Sequence, residues 1–196
     1  MANHSRVRIV GGHWRGRQLH LGKASALRPT PDRVRETVFN WLQGRIQGAR
    51  CLDLFAGSGV LGFEAASRGA QSVVLVEHDR ALIRALRDNH NRLGAAETVS
   101  IVASDARRYL QSAHSPFDLV FLDPPYADAA LLCDTSLTVM RQLSLAPGAL
   151  VYIESPRHAP PPALADGWAW FREGQAGQVR FGLANAVDSG SMSLEA

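Results

Sequence analysis

The fold of this chain is decided by the stretch Arg50-Cys51-Leu52-Asp53-Leu54-Phe55-Ala56-Gly57-Ser58-Gly59-Val60-Leu61-Gly62. Its first six residues are mostly apolar and predict a short buried strand, and the rest predict a turn into a helix that runs to about Gly69. The three glycines match the G-x-G-x-x-G pattern of a tight turn, a close approach of the backbone to a ligand and a helix packed closely on its sheet. The stretch therefore predicts a doubly wound α/β sheet with a ligand at this turn.

An acidic residue at the end of this first strand narrows the choice of ligand. Asp53 lies four residues before the first glycine, where a carboxylate repels a pyrophosphate but attracts an ammonium or sulfonium group. S-adenosylmethionine carries both of these cations and no phosphate, so it fits the turn better than NAD does. The residues that we expect to bind the cofactor here are Asp53, Phe55, Ala56, Gly57, Ser58 and Gly59.

A second predicted strand ends in an acidic residue as well. The strand covers residues 72–76, and Glu77 follows it, twenty residues after Gly57. An acidic residue at this place can accept hydrogen bonds from both hydroxyls of a ribose. His78 comes next and either lines the adenine pocket or lies in a solvent-facing turn.

The third predicted strand, at residues 99–102, precedes Ser104, Asp105 and Ala106. A carboxylate at this point can accept a hydrogen bond from the exocyclic amine of an adenine that lies across the strand ends. Asp105 can equally cap the helix that begins near Ala106, and one residue can do both. Asp105 and Ala106 therefore join the cofactor candidates.

The strand predicted at residues 117–122 leads into the tetrapeptide Asp123-Pro124-Pro125-Tyr126. An exocyclic amine of a nucleobase is planar and a poor nucleophile, so two hydrogen-bond acceptors must reshape it before it attacks a carbon. The Asp123 carboxylate and the Pro124 carbonyl can accept its two N–H groups, and the Tyr126 ring can stack on a base. These three residues are our catalytic candidates, although a Pro-rich turn in which Asp123 only caps the next helix is the structural alternative.

Positive charge is concentrated near the amino terminus. Residues 1–50 contain ten Arg or Lys and two acidic residues, a net charge of +8, whereas residues 51–196 contain eleven and sixteen, a net charge of −5. Apolar positions alternate loosely around Gly11-Gly12, which predicts a β-hairpin, and arginines on such a hairpin can bind phosphates. We predict a basic RNA-binding hairpin arm at residues 1–22, against the alternative of a basic tail that only aids solubility. The RNA-binding candidates are Arg6, Arg8, Trp14, Arg15, Arg17 and, in the following helix, Arg33. We expect the rest of the chain to fold and to bind its cofactor without the arm.

The remaining segments with regular apolar spacing are predicted as two helices, one buried strand and a closing antiparallel hairpin. They are placed at residues 32–46, 128–143, 148–154, 168–172 and 178–183. The whole pattern predicts a Rossmann-like α/β domain over residues 23–187, with a mixed sheet of about seven strands. Residues 188–196 are small and polar and predict a disordered tail.

The composition is that of an ordinary globular chain, with 46% hydrophobic and 20% charged residues. No apolar run approaches the roughly 18 residues of a membrane span, and the amino terminus has no apolar signal-peptide core, so we expect a cytoplasmic protein. Cys51 and Cys133 have no ligand-like spacing to the histidines, and neither a disulfide nor a metal site is expected. Nothing in the sequence requires more than a monomer.

The stretch 53–59, Glu77, Asp105 and the tetrapeptide at 123–126 together resemble the successive motifs of class I S-adenosylmethionine-dependent methyltransferases that act on an amino nitrogen. The segments Val7 to Arg17 and Arg28 to Leu42 narrow the resemblance to the bacterial 16S ribosomal RNA guanine-N2 methyltransferases of the RsmD family. The resemblance covers nearly the whole chain and leaves out only residues 188–196. Pro31 departs from it, where a hydroxyl residue is expected, but proline is well tolerated at a helix start.

The resemblance implies methyl transfer from S-adenosylmethionine to the N2 amine of a guanine in 16S rRNA, within a partly or fully assembled small ribosomal subunit. It also implies that the segment before the helix at residue 32 closes over the methionine end of the cofactor, so Arg28 and Thr30 join the cofactor candidates. Asp123 is then also a candidate acceptor for the departing proton.

Three alternatives stay open. A DNA adenine-N6 methyltransferase would use the same tetrapeptide, although the chain has no room for a sizeable target-reading segment. A nicotinamide oxidoreductase would use the glycine turn and Glu77 but would leave Asp53 unexplained. A non-catalytic RNA-binding module would use the arm alone.

Overall fold

The computed structural model describes residues 6–21, 30–112, 116–124, 135, 138–141, 143 and 145–187. Arg28 and Tyr126, two of the candidate site residues, lie outside these ranges, as do Cys133 and the tail predicted at 188–196. The elements of the described residues are β1 (Arg6–Arg8), β2 (Gln18–His20), α1 (Asp32–Trp41), β3 (Arg50–Asp53), α2 (Val60–Ser67), β4 (Ser72–Glu77), α3 (Arg80–Leu93), β5 (Val99–Ala103), α4 (Ala106–Leu110), β6 (Phe117–Leu122), β7 (Leu145–Pro156), β8 (Trp168–Ala176) and β9 (Val179–Ala186).

Seven of these strands form one mixed sheet in the order β5-β4-β3-β6-β7-β9-β8. Neighbours from β5 to β7 pair in parallel, and β9 pairs antiparallel with both β7 and β8. The predicted mixed sheet of about seven strands is therefore confirmed. The chain builds the sheet outward in one direction from β3 and in the other from β6, and open α/β sheets bind ligands beside such a reversal, at the carboxyl ends of the strands. Asp53 is the last residue of β3, and Asp123 directly follows β6.

The glycine turn between β3 and α2 has the conformation that its sequence predicts. Gly57 and Gly59 have φ angles of 52° and 75°, which residues with a side chain rarely adopt. Gly62 lies in α2, and a Cβ atom on it would sit 2.2 Å from Cδ2 of Leu75 on β4. Glycine at this position therefore lets the helix pack closely on the sheet.

The hairpin predicted near the amino terminus is formed by β1 and β2, with Val7 opposite Leu19. Its connection is longer than the predicted Gly11-Gly12 turn and comprises residues 9–17. The hairpin is bonded to two helices of the main domain. The Trp14 N–H donates to Ser67 Oγ of α2 at 2.9 Å, and the Asn89 side chain of α3 bonds both the N–H and the C=O of His20 at 2.9 Å.

The apolar side of the hairpin belongs to the main core. Five of its side chains are buried in one cluster with side chains of α2 and β4, namely Val7, Ile9, Trp14, Leu19 and Leu21. Removing residues 1–22 would expose the surfaces of α2 and α3 that these side chains cover, at a cost proportional to the apolar area. This cost argues against the expectation that the remaining chain folds unaided, which stays a prediction, because charge pattern alone does not reveal the buried side of a hairpin.

Several element ends differ from the sequence prediction. Helix α1 ends at Trp41, and turns follow at residues 42–48, where Leu42 and Ile46 stay buried and so continue the helical apolar spacing. Strand β7 begins at Leu145, ahead of the predicted start. Residues 138–141 are helical, as predicted.

Cys51 is buried in β3 as expected, and burial raises the pKa of its thiol to about 12. Among the helices of the described residues, none has the length and apolar character needed to cross a membrane.

Candidate active site

Four acidic residues lie where parallel strands of the sheet reach their carboxyl ends. Asp53 ends β3, Glu77 ends β4, Asp123 follows β6, and Glu154 lies near the end of β7. Asp53, Glu77 and Glu154 are buried, and Asp123 is partly exposed. Carboxylates gathered in this way repel one another and favour a cation nearby. The structure thus brings together three of the four acids predicted from the sequence, Asp53, Glu77 and Asp123, and adds Glu154.

Asp53 connects the end of β3 to the helix that follows the glycine turn. Its Oδ2 atom accepts a 3.1 Å hydrogen bond from the Gly62 N–H of α2. Burial raises the pKa of Asp53 to about 7, assisted by the negative charge of Glu77 and opposed by the Gly62 hydrogen bond. The carboxylate therefore lies in an environment that disfavours its charge, and a cation placed beside it would relieve that cost.

Glu77 is fixed by the backbone on both of its carboxylate oxygens. Oε2 accepts from the Gly57 N–H at 2.9 Å, and Oε1 accepts from the N–H groups of His78 and Asp79 at 2.8 Å each. These bonds hold the side chain against the glycine turn, and Oε2, which accepts only one of them, keeps a further lone-pair direction for a ligand hydroxyl. His78 is exposed, with Nδ1 3.4 Å from Glu77 Oε1, as the solvent-facing alternative predicts.

The other turn residues that we expect to contact the cofactor lie between β3 and α2. Ala56 donates its N–H to the Val76 carbonyl of β4 at 2.9 Å, and the Val60 N–H donates to Ser58 Oγ at 3.3 Å. Phe55 is partly exposed beside them. The turn is therefore bonded to β4 at one end and to α2 at the other.

Asp105 caps α4, whose first residue is Ala106. Its Oδ1 atom accepts from the N–H groups of Arg107 at 2.9 Å and Arg108 at 3.3 Å. The capping alternative is therefore confirmed, and contact with an adenine amine stays a prediction. The side chain is exposed at the same edge of the sheet, beyond β5.

Asp123 lies at the point where β6 ends, beside residues from three other parts of the chain. Thr30 Oγ1 donates to Asp123 Oδ2 at 3.2 Å. Burial raises the pKa of Asp123 well above its usual value, and the nearby carboxylates of Glu154 and Asp53 raise it further, whereas the Thr30 hydrogen bond lowers it. Pro124 is buried directly after it.

Glu154 is the acidic residue of this edge that the sequence reasoning missed. Glu154 is 3% exposed, and the Tyr152 hydroxyl donates to its Oε2 atom at 2.8 Å. Strands β6 and β7 pair Leu122 with Ile153, so Asp123 and Glu154 come next to each other along the register. An acid at the end of a predicted buried strand was the pattern that identified Glu77, and it could have identified Glu154.

A buried arginine, Arg35 of α1, organises the other side of the site. It is 0% exposed and donates to three different groups. Nε donates to the Thr30 carbonyl at 3.2 Å, Nη2 to Asp32 Oδ1 at 2.5 Å, and Nη1 to Glu64 Oε2 at 3.1 Å. Arg68 pairs with the other oxygen of Glu64 at 3.0 Å. This role could not be predicted from the sequence, because a buried arginine in a helix has the same local pattern as an exposed one.

Comparison with known proteins identifies the family. Residues 7–185 match the family described as "Conserved hypothetical protein 95". Ribosomal RNA small subunit methyltransferase D of Escherichia coli (strain K12) is 44% identical over 184 residues, covering 92% of each chain. The chain belongs to the ribosomal RNA small subunit methyltransferase D family. The resemblance inferred from the sequence is thereby confirmed, and so is the prediction that the protein is a methyltransferase.

Solved structures agree with this membership. The Escherichia coli protein yhhF superimposes with a TM-score of 0.84 at 41% identity, over 93% of this chain and 98% of that one. An RNA methyltransferase from Salinibacter ruber, solved in complex with S-adenosyl-L-homocysteine, superimposes with a TM-score of 0.58 at 20% identity, over 86% of this chain and all of that one. At that identity the second comparison shows a shared fold.

The basic face of this small subunit methyltransferase D family member is the outer side of its hairpin. The exposed arginines among the RNA-binding candidates are Arg6, Arg8, Arg15, Arg17 and Arg33. Trp14, the sixth candidate, is 7% exposed and packs edge-on against Phe63 with ring centroids 6.5 Å apart. This burial argues against its assignment to the RNA-binding face, because an aromatic residue in the connection between two basic strands can pack into the core as well as face the solvent.

A groove lies between the hairpin and the residues at the start of α1. It has a volume of about 330 Å³, and we call it the hairpin groove; it is lined by Arg6, Val7, Arg8, Gln18, Thr30, Pro31 and Asp32. Thr30 lies in the groove wall and also bonds to Asp123. One wall of the groove is therefore bonded to the candidate catalytic residue.

Proposed function

We propose that this protein transfers a methyl group from S-adenosylmethionine to the exocyclic N2 amine of a guanine in 16S rRNA, in the cytoplasm and within a partly or fully assembled small ribosomal subunit. The observation that carries the proposal is the position of Asp123 and Pro124, at the end of β6 beside β3, where Asp123 accepts a hydrogen bond from Thr30 of the hairpin groove. Membership in the small subunit methyltransferase D family supports the same substrate class.

The cofactor proposal rests on how the residues of this edge are built. Glu77 is held against the glycine turn by three backbone N–H groups, so its Oε2 atom is preorganised to accept a ribose hydroxyl. The buried carboxylates of Asp53 and Glu154 and the partly exposed one of Asp123 suit a cationic ligand better than a pyrophosphate. When bound, S-adenosylmethionine supplies an electrophilic methyl group on a sulfonium centre.

The proposal that the methyl group goes to an amine rests on the hydrogen-bond acceptors that follow β6. Asp123 presents a carboxylate whose Oδ2 atom is already engaged by Thr30, so Oδ1 can accept one N–H of the guanine amine. The carbonyl of Pro124 can accept the other, because the proline that follows it holds that residue extended. Both bonds strengthen as the nitrogen becomes tetrahedral, which favours the transition state over the ground state. Asp123 is also placed to take the proton that the nitrogen loses, directly or through water.

The RNA proposal rests on the hairpin and its groove. Arginine side chains bind phosphates in a bidentate manner and supply affinity without reading sequence. The hairpin presents these side chains outward and rests on α2 and α3 by its apolar side, so the backbone that carries its arginines is held in place on the main domain. We propose that the RNA backbone follows the hairpin while the target guanine leaves its stack to reach the acidic edge, which is cheapest for an unpaired nucleotide.

Nucleoside mass mapping of 16S rRNA from cells with and without the gene tests the proposed function. We expect one N2-methylguanosine per 16S molecule to disappear without the protein and to return with the wild-type gene. A gene carrying Asp123→Ala should not restore it, whereas Asp166→Ala should, because Asp166 is an exposed acid that precedes β8 at the opposite edge of the sheet. Unchanged N2-methylguanosine, or loss of an N6-methyladenine instead, would contradict the proposal.

A further inference from the structure

The contact between Thr30 and Asp123 gives Thr30 a role that its position in the sequence did not suggest. The resemblance placed Thr30 at the methionine end of the cofactor. In the structure its residue is 2% exposed, and its hydroxyl donates to the Asp123 carboxylate at 3.2 Å. The hydroxyl therefore acts on the acid that is proposed to hold the amine.

The backbone of Thr30 is itself held in place by α1. Its carbonyl accepts from Nε of the buried Arg35 at 3.2 Å. The same guanidinium is fixed by Asp32 at 2.5 Å and by the buried Glu64 at 3.1 Å. A planar donor held by three partners has little freedom to move. Through the Thr30 carbonyl, Arg35 therefore holds the backbone that places the Thr30 hydroxyl beside Asp123.

The same contacts extend to the hairpin. Arg8 of β1 donates through Nε to Asp32 Oδ2 at 2.7 Å, and the Val10 N–H donates to Glu64 Oε2 at 2.8 Å. Both acids that hold Arg35 are therefore also bonded by the hairpin. A continuous set of hydrogen bonds runs from the basic face to the carboxylate at the end of β6.

We propose that Thr30 is a positioning residue for Asp123, which orients the carboxylate by binding Oδ2 and so reserves Oδ1 for the amine of the target guanine. This inference rests on the proposed function. A carboxylate without such a donor can rotate about its Cβ–Cγ bond and present either oxygen at a range of angles. With the donor in place, one oxygen is defined as the acceptor before the base arrives, which is the preorganisation that methyl transfer in line with the sulfonium requires.

A matched pair of substitutions isolates the hydroxyl. Thr30→Val keeps the volume and removes the donor, and Thr30→Ser keeps the donor. In single-turnover methylation of small subunits at saturating S-adenosylmethionine, we expect Thr30→Val to be slower by roughly 10- to 100-fold, the range expected for a misplaced catalytic group. Thr30→Ser should stay within a few-fold of wild type, and the S-adenosylmethionine dissociation constant should change little in either variant.

Two results would overturn the inference. Equal rates for Thr30→Val and Thr30→Ser would show that the hydroxyl has no role in positioning Asp123. Weaker S-adenosylmethionine binding by Thr30→Val, with an unchanged rate at saturation, would place Thr30 on the cofactor instead. Wild type assayed in parallel separates these outcomes from failure of the proposed function, which would appear as a wild type that transfers no methyl group to guanine.

The ionisation of Asp123 provides a readout that does not require activity. Among the described residues, three side chains face Asp123, namely Thr30 just before α1, Glu154 of β7 and Asp53 of β3. Removing the Thr30 donor takes away a bond that favours the ionised form, so the pKa of Asp123 should rise in Thr30→Val and return in Thr30→Ser. Carboxyl ¹³C NMR titration measures this directly, and the acidic limb of the rate profile should move to higher pH with it. An unchanged titration in Thr30→Val would contradict the contact itself.

Discussion

Replacing Leu19 with alanine will show whether the hairpin is part of the folding unit of the catalytic domain. Leu19 lies in the middle of β2, is 0% exposed, and shares a cluster with residues of α2 and β4. Each buried methylene contributes about 0.8 kcal/mol, so the three carbons removed account for about 2 to 3 kcal/mol before any cavity is counted. A cavity adds to this, and buried Leu→Ala changes usually cost about 2 to 5 kcal/mol in all.

We expect Leu19→Ala to lower the free energy of unfolding by about 2 to 4 kcal/mol, because the edge of a hairpin can collapse partly into the space. Urea unfolding followed by circular dichroism measures the change. Gln18→Ala is the matched control. Gln18 is the exposed neighbour on the same strand, and its side chain accepts from the exposed Arg6, so its loss should cost less than about 0.5 kcal/mol. If Leu19→Ala and Gln18→Ala unfold at the same urea concentration, the hairpin is a separable arm after all.

Two further predictions concern charge. Replacing both Arg6 and Arg15 with Gln should make the slope of log K against log salt for RNA binding shallower by about 1.5, at roughly 0.7 to 0.9 per phosphate contact. Arg45→Gln, in the exposed turn after α1, is the control and should leave the slope unchanged. Equal slopes for the wild type, the double variant and Arg45→Gln would remove the hairpin from the RNA-binding face. The pKa of Asp53 is raised to about 7 in the native state, whereas an unfolded aspartate has a pKa of about 4. The native state therefore binds more protons between these two pH values. The free energy of unfolding of the cofactor-free wild type should fall as pH rises through this range. Asp53→Asn should show a flatter dependence in urea unfolding and exceed the wild type in stability at pH 8, and identical pH dependence would contradict the raised pKa.

The parts of the site that could be predicted from sequence are those defined by local pattern. Asp53, Glu77 and Asp123 were identified because each is an acid directly at the end of an apolar run, and parallel strands bring such ends to one edge. The glycine turn was predictable for the same reason, since Gly57 and Gly59 supply backbone angles and Gly62 supplies close packing.

The parts that could not be predicted depend on tertiary partners. Arg35 looks like any charged residue of an amphipathic helix until Glu64 and Asp32 are seen around it. Trp14 was placed on the RNA because its basic neighbours dominated the pattern, although its side chain in the connection between β1 and β2 is buried. Thr30 was assigned to the cofactor by resemblance, and only the structure shows its hydroxyl on Asp123.

The most direct test of the central claim is a single-turnover methyl transfer from S-adenosylmethionine to small ribosomal subunits that lack the modification, with the product nucleoside identified by mass spectrometry. We predict N2-methylguanosine as the product of the wild type and of Asp166→Ala at equal rates. Asp123→Ala should be slower by roughly 100-fold or more, the scale of losing one preorganised catalytic partner, with S-adenosylmethionine affinity nearly unchanged. An Asp123→Ala protein that retains most of the wild-type rate, or a methyl group found on any atom other than guanine N2, would contradict the account.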